Sequence, residues 1–230
     1  MALILNLETS STVCSIALGR GGELVAFKEV NDGYTHSENL TVFIEEVLKN
    51  AGVSPINLDA IAVSKGPGSY TGLRIGVSTA KGLCFALNKP LIGVSTLQAM
   101  ANIKLETPSS KLQTLFCPML DARRMEVYTA LFDKTLNEIQ PVSAKVIDEN
   151  AFAEYLENHQ IIFFGTGAEK CKQFLQHHPN AVFVDDIFPS SKNMTSLSEK
   201  AYREEGFEGL AYFEPLYLKK FIATTPKKIL

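Results

Sequence analysis

No run of apolar residues in this chain approaches the ~20 needed to cross a bilayer as a helix; the longest runs are short, strand-like stretches such as Ile161 to Phe164. No Cys-x-x-Cys pair occurs either. Cys14, Cys84, Cys117 and Cys171 are widely spaced in apolar surroundings, a usage expected of small buried hydrophobes in a reducing compartment. An excess of positive charge is also lacking. The formal net charge is −3, whereas a protein that grips nucleic acid by itself carries a basic face. The local cluster Lys219, Lys220, Lys227 and Lys228 reads as a solvated tail in preference to a nucleic-acid contact. The opening MALILNLETSS has no positive n-region, and Glu8 comes too early for a secretory signal, so a cytoplasmic protein without membrane attachment is expected.

What is present is an ordinary folded composition: 230 residues, 46% hydrophobic and 20% charged, enough for one large domain or two small ones. Ala2 to Leu7, Val13 to Leu18 and Leu24 to Val30 read as strands, with Gly19-Arg20-Gly21-Gly22 as turn chemistry. Leu40, Phe43, Ile44, Val47, Leu48 and Ala51 keep helical period and form one apolar stripe. Thr35 and Glu38 have capping-box spacing, and Gly52 is placed to end that helix. A short buried strand (60–64), a helix over roughly 71–87, a strand at 91–94 and a helix opened by Ser95 and Gln98 follow.

The second half repeats the first. LETSSTVCSIAL (Leu7 to Leu18) aligns without a gap on LDARRMEVYTAL (Leu120 to Leu131), so that Glu8 meets Asp121, Ala17 meets Ala130 and each strand ends in an acid before a hairpin. Strand, glycine loop and helix recur as AVSKGPGSYTG and IIFFGTGAEK. A duplication of this kind implies two similar lobes across a cleft: residues 1–103, completed by 208–230, and residues 104–207. The pattern resembles the actin, Hsp70 and sugar-kinase superfamily, an α/β class in which each ribonuclease H-like lobe is a mixed sheet flanked by helices. In that plan acidic hairpin tips and glycine loops face a nucleotide, since glycines let backbone N–H groups approach phosphate. Glu8, Asp121, Gly165 and Gly167 are the candidates for such a cleft, in vestigial form.

The most specific segment is KGPGSYTGLRIG, Lys65 to Gly76. Pro67 between two glycines fixes a turn, and Ser69 or Thr71 is placed to cap the next helix. Gly72 and Gly76 share one helix face and admit another backbone closely, as either an internal contact or a subunit interface. This segment resembles the GPGSFTGLRIG signature of the TsaB (YeaZ) family. The resemblance continues through PLIGVSTLQAMA, LDARRMEVY and EPLYLKK in the family's order. It implies a non-catalytic subunit that pairs with a larger TsaD-like paralogue, or with a second copy of itself when alone. A TsaE-like ATPase joins the larger complex, which places threonylcarbamoyl on the adenosine beside the tRNA anticodon, and tRNA is met only through that complex. In the paralogue an H-x-x-x-H pair holds a metal; Thr96 and Met100 stand there in this chain. A hydroxyl and a thioether do not replace two imidazoles, so neither metal nor other cofactor is expected. The resemblance places the partner surface on the first lobe's two helices, at His36, Ser37, Leu40, Thr71, Gly72, Leu73, Arg74, Gly76 and Val77. A bulky or charged change at Gly76 or Val77 is then expected to weaken association and spare the fold.

Two enzymatic readings compete. A peptidase of the glycoprotease type lacks H-E-x-x-H, and Ser69 fails the G-x-S-x-G elbow because Pro67 occupies the first glycine's place. A stand-alone ATPase or small-molecule kinase would use Glu8 and Asp121 around Mg²⁺, and needs phosphate-binding groups converging on one cleft.

Overall fold

The computed structural model describes residues 1–33, 36–103 and 112–219. The first lobe runs β1 (Leu3–Glu8), β2 (Cys14–Arg20), β3 (Glu23–Val30), α1 (His36–Asn50), β4 (Ala60–Gly66), α2 (Tyr70–Leu87), β5 (Leu91–Ser95) and α3 (Thr96–Ala101). The second runs β6 (Gln113–Asp121), β7 (Glu126–Phe132), β8 (Glu138–Val146), α4 (Ala153–Leu156), β9 (His159–Phe164), α5 (Lys172–Leu175) and β10 (Ala181–Val184), after which comes α6 (Thr195–Arg203). The first sheet has the order β3-β2-β1-β4-β5 and the second β8-β7-β6-β9-β10. In each, the first three strands in sequence pair antiparallel and the last two join in parallel. The duplication seen in the sequence is therefore a duplication of topology, the two-lobed actin/Hsp70-like plan. Glu8 ends β1 as Asp121 ends β6.

Alternation along β1 explains the layering. Leu3, Leu5 and Leu7 face α1 and α2, packing with Leu40, Ile44, Val47, Val77 and Cys84. Ala2 and Ile4 face the other way, toward Ile92, Val94, Ala99 and Met194. β1 is covered on both faces and buried at every position; its run of leucine and isoleucine is interrupted only by Asn6, whose Nδ2 donates to Ile4 O at 3.1 Å, and ends in Glu8. Burying the second face of the first sheet takes α6, which lies on it through Leu197 and Ala201, and Ser191 N–H donates to Ser15 Oγ at 3.0 Å. The chain returns to the first lobe soon after β10.

Helix α3 joins the lobes. Leu97 and Met100 pack with Phe116, Leu120 and Phe164 of the second sheet. The last described segment, 208–219, forms a strap. Glu208 bridges to Leu91, Phe213 enters the first core, Leu216 N–H donates to Lys65 O at 2.7 Å, and Tyr217 lies on Tyr70 with centroids 5.0 Å apart. Lys219 then crosses to the second lobe, donating to Ala122 O at 2.9 Å and pairing with Glu126. Lys219 is thus no solvated tail, because two acceptors of the β6–β7 hairpin hold its ammonium. Lys220, Lys227, Lys228 and the capping residue Thr35 lie outside the described residues. Among the described residues no helix is long and apolar enough to cross a membrane.

Candidate functional site

The GPGS segment is built to be approached closely. Gly66 has φ +102°, and a Cβ there would lie 2.9 Å from Leu216 O. At Gly68 a Cβ would collide with Ser10 O, which instead accepts Ser69 N–H at 2.6 Å. Ser69 Oγ accepts Gly72 N–H at 3.3 Å and caps α2, as its position in the sequence predicts. On the next turns Thr9 fits the glycine face. Its hydroxyl donates to Gly72 O at 2.8 Å, and Cβ atoms on Gly72 and Gly76 would overlap Thr9 O and Thr9 Oγ1. The face that sequence spacing leaves open between core and interface is core: it clasps the β1–β2 hairpin.

Glu8 sits beneath that hairpin with no exposure. Its Oε1 accepts Ser10 N–H at 2.6 Å and Ser64 O–H at 3.0 Å, while Oε2 and Ser10 Oγ have no partner among the described residues. Burial raises the Glu8 pKa above its ordinary 4.5, the bonds from Ser10 and Ser64 oppose the rise, and the charge of Glu29 adds to it. Asp121 is in a different state. It is half exposed, meets Lys170 Nζ at 2.5 Å and accepts Arg123 N–H at 2.8 Å. Lys170 also donates to Arg124 O and Glu126 O, so a fixed ammonium stands beside the carboxylate. The two acids share no hydrogen bond or ion pair among the described residues. Gly165 (φ +103°) lies against Met119 O, with Met100 Cε 2.6 Å from where its Cβ would be, and Gly167 lies against Val127 and Leu120. Both glycines of the second loop admit protein atoms of their own chain, and only one helical turn (Glu169–Cys171) and the short α5 follow it.

Residues 33–227 match the model of the TsaD family, described as tRNA N6-adenosine threonylcarbamoyltransferase. The tRNA threonylcarbamoyladenosine biosynthesis protein TsaB of Haemophilus influenzae is 30% identical over 225 residues, covering 94% of this chain and 93% of its own. Its Escherichia coli namesake is 28% identical over 226 residues, with 96% of each covered. The solved structure of YeaZ from Pseudomonas aeruginosa aligns with a TM-score of 0.76 at 26% identity, covering 95% of this chain and 100% of that one. This chain belongs to the TsaB (YeaZ) family.

Within that family frame, the nine surface positions implied by the sequence divide. His36, Leu40, Gly72, Leu73, Gly76 and Val77 are buried within the single chain, whereas Ser37, Thr71 and Arg74 are exposed. His36 Nε2 bonds Ser11 O at 2.7 Å, Leu40 and Val77 face the sheet, and Arg74 donates to Tyr70 OH at 2.8 Å. The expectation that Gly76 or Val77 can be enlarged without harm to the fold is corrected by Thr9 and the first core. Sequence reasoning missed the outer features of the same helices. Phe85 is 83% exposed and Val42 48%. A groove of ≈ 410 Å³ between α1 and α2 is lined by Ile44, Leu48, Val53, Pro55 and Leu83 among others. The available signal was phase, since Phe85 falls outside the buried stripe Leu73, Val77, Ala80, Cys84.

The nucleophile candidates are quenched. Ser69 Oγ is committed to a helix cap, and burial pushes the thiols to about 11 at Cys14, Cys84 and Cys171 and about 12 at Cys117. Among the described residues no three His, Cys, Asp or Glu side chains are grouped to hold a metal ion. Thr96 and Met100 are both fully buried.

Two substitutions probe this geometry. Gly76→Ala is expected to lower unfolding free energy by about 1–3 kcal/mol through overpacking against Thr9, while Gly82→Ala, which meets nothing within 4 Å, should raise it by about 0.5–1 kcal/mol. Urea unfolding with equal m values separates the two. Glu8 holds its proton to higher pH in the folded chain than in the unfolded one, so the folded state binds more protons above pH 4.5. Stability is therefore undiminished at and below that pH and falls as pH rises through the raised folded pKa. Glu8→Gln keeps the Oε1 acceptor, and thermal melts from pH 4 to 9 should lose that decline.

Proposed function

We propose that this chain is the non-catalytic subunit of the tRNA threonylcarbamoyladenosine machinery, binding and activating a TsaD-like catalytic partner through the outer faces of α1 and α2. The relatives named TsaB in other bacteria support the pathway. The observation that carries the binding role is the apolar groove between α1 and α2, lined by Ile44, Leu48, Val53, Pro55 and Leu83. Phe85, on another side of α2, adds a separate exposed aromatic to a helix whose inner face is already spent on Thr9 and the core. An apolar groove and an exposed aromatic side chain on the same helix are features of a surface that another protein covers. The same surface serves a second copy of the chain when the partner is absent, a TsaE-like ATPase joins the assembled pair, and the work is cytoplasmic.

The state of the candidate cleft supports the non-catalytic reading. Glu8 is walled in, Asp121 is answered by Lys170, and both loop glycines are occupied by the chain itself. Among the described residues these groups do not converge on one cleft as a kinase's phosphate-binding groups do.

Co-expression with the host's TsaD-like protein, read by size exclusion with light scattering, should give a one-to-one complex that displaces the homodimer. Phe85→Ala should weaken it by about 2 kcal/mol, roughly 30-fold in Kd, and Arg74→Glu should weaken it further, both with unchanged melting temperature. A chain that ignores the paralogue would refute the partner role.

A further inference from the structure

The β6–β7 hairpin carries a feature that partner binding through α1 and α2 does not use. Its tip, Arg123-Arg124-Met125, is closed by Ala122 N–H to Glu126 O at 3.0 Å and Glu126 N–H to Arg123 O at 3.2 Å. Arg123 and Arg124 both adopt positive φ, 69° and 50°. Side chains with a Cβ are disfavoured there, and Asn or Gly is the ordinary occupant. Two consecutive arginines at such positions have no folding rationale, and strain of this kind marks a functional constraint.

The surroundings leave both guanidiniums unclaimed. The acids at hand, Asp121 and Glu126, are each taken by a lysine, Lys170 and Lys219. The same two ammoniums hold the carbonyls of Ala122, Arg124 and Glu126, bracing the loop from both sides. Neither arginine makes an ion pair among the described residues, and both are exposed. Four cations against two carboxylates make this tip positive on a chain whose net charge is −3. Half-buried Tyr128 lies alongside, near enough to Arg123 and Lys219 for their charges to act on its phenol, with Lys219 Nζ 5.7 Å from the ring. Two exposed guanidiniums on a braced loop, with an aromatic ring near Arg123, are suited to the phosphodiester backbone of RNA, whose phosphate oxygens arginine binds.

We propose that Arg123 and Arg124 contact the RNA backbone of the tRNA on which the complex acts, an inference that rests on the tRNA-modification reading. The lysine brace presents the arginines and the strap ties that brace to α2, so the RNA contact and the partner surface are held in one rigid frame.

The test is tRNA binding by fluorescence anisotropy from 50 to 300 mM KCl, on the complex with the TsaD-like partner and on the chain alone at the lowest salt. Removing two phosphate contacts in Arg123→Ala/Arg124→Ala should reduce the slope of log K against log [KCl] by about 1.5 and weaken binding roughly tenfold at low salt. Arg123→Lys/Arg124→Lys should keep most of the slope. Arg123→Asn/Arg124→Gly relieves the backbone, so it should melt higher than the parent and still lose RNA, a combination no purely structural role produces. Unchanged slope and affinity in the alanine and Asn-Gly variants would overturn the assignment. So would loss of the partner in place of RNA, which would make the tip a protein contact. Failure of the parent chain to pair with the paralogue would count against the partner role alone, because the chain-alone measurement still reads the arginines.

Discussion

Thr9 pressed against Gly72 and Gly76 is the contact on which the first lobe depends. It fixes the tip of the β1–β2 hairpin under α2, with the Thr9 hydroxyl donating to Gly72 O at 2.8 Å. Ser69 N–H on Ser10 O closes the same junction one turn earlier. With the hairpin held there, Glu8 has no path to solvent and α2 has only its outer face to offer. Burial of a carboxyl and the choice of which face of α2 is left exposed are thus two results of one close approach.

The junction between lobes follows a similar logic. In a two-lobed nucleotide enzyme the space between the sheets must stay open for a ligand. Here α3 puts Leu97 and Met100 against the second sheet, and Met100 Cε reaches the backbone of Gly165. A flexible thioether fills such an irregular gap well. The strap adds a second tie, since Phe213 is anchored in one core while Lys219 is held by the opposite hairpin. Together they join the two lobes at two places.

Much of the architecture was legible because it rests on local periodicity. The alternation of β1, the apolar stripe of α1, the Ser69 and Ser95 caps and the repeated acid-ended hairpin all follow from neighbours within a few residues. What was not legible comes from contacts between distant positions. Nothing near Thr195 in the chain tells that α6 must return to cover the first sheet, where Gly19 faces it. Lys219 belongs to a lysine-rich stretch, and only the position of the β6–β7 hairpin turns it into a brace. The positive φ of Arg123 and Arg124 is equally silent in the sequence, because no residue type there signals it.

The sequence by itself determined the duplication, the strand and helix inventory, and the chain's likeness to one family. Tertiary structure decided which side of each helix faces outward, whether Glu8 meets water, and which cations remain unpaired. Helical period reports that a face is covered but not by what, and Thr9 lies 63 residues from the carbonyl it meets. Charge and exposure depend on those long-range neighbours, so they become readable only when the chain is closed on itself.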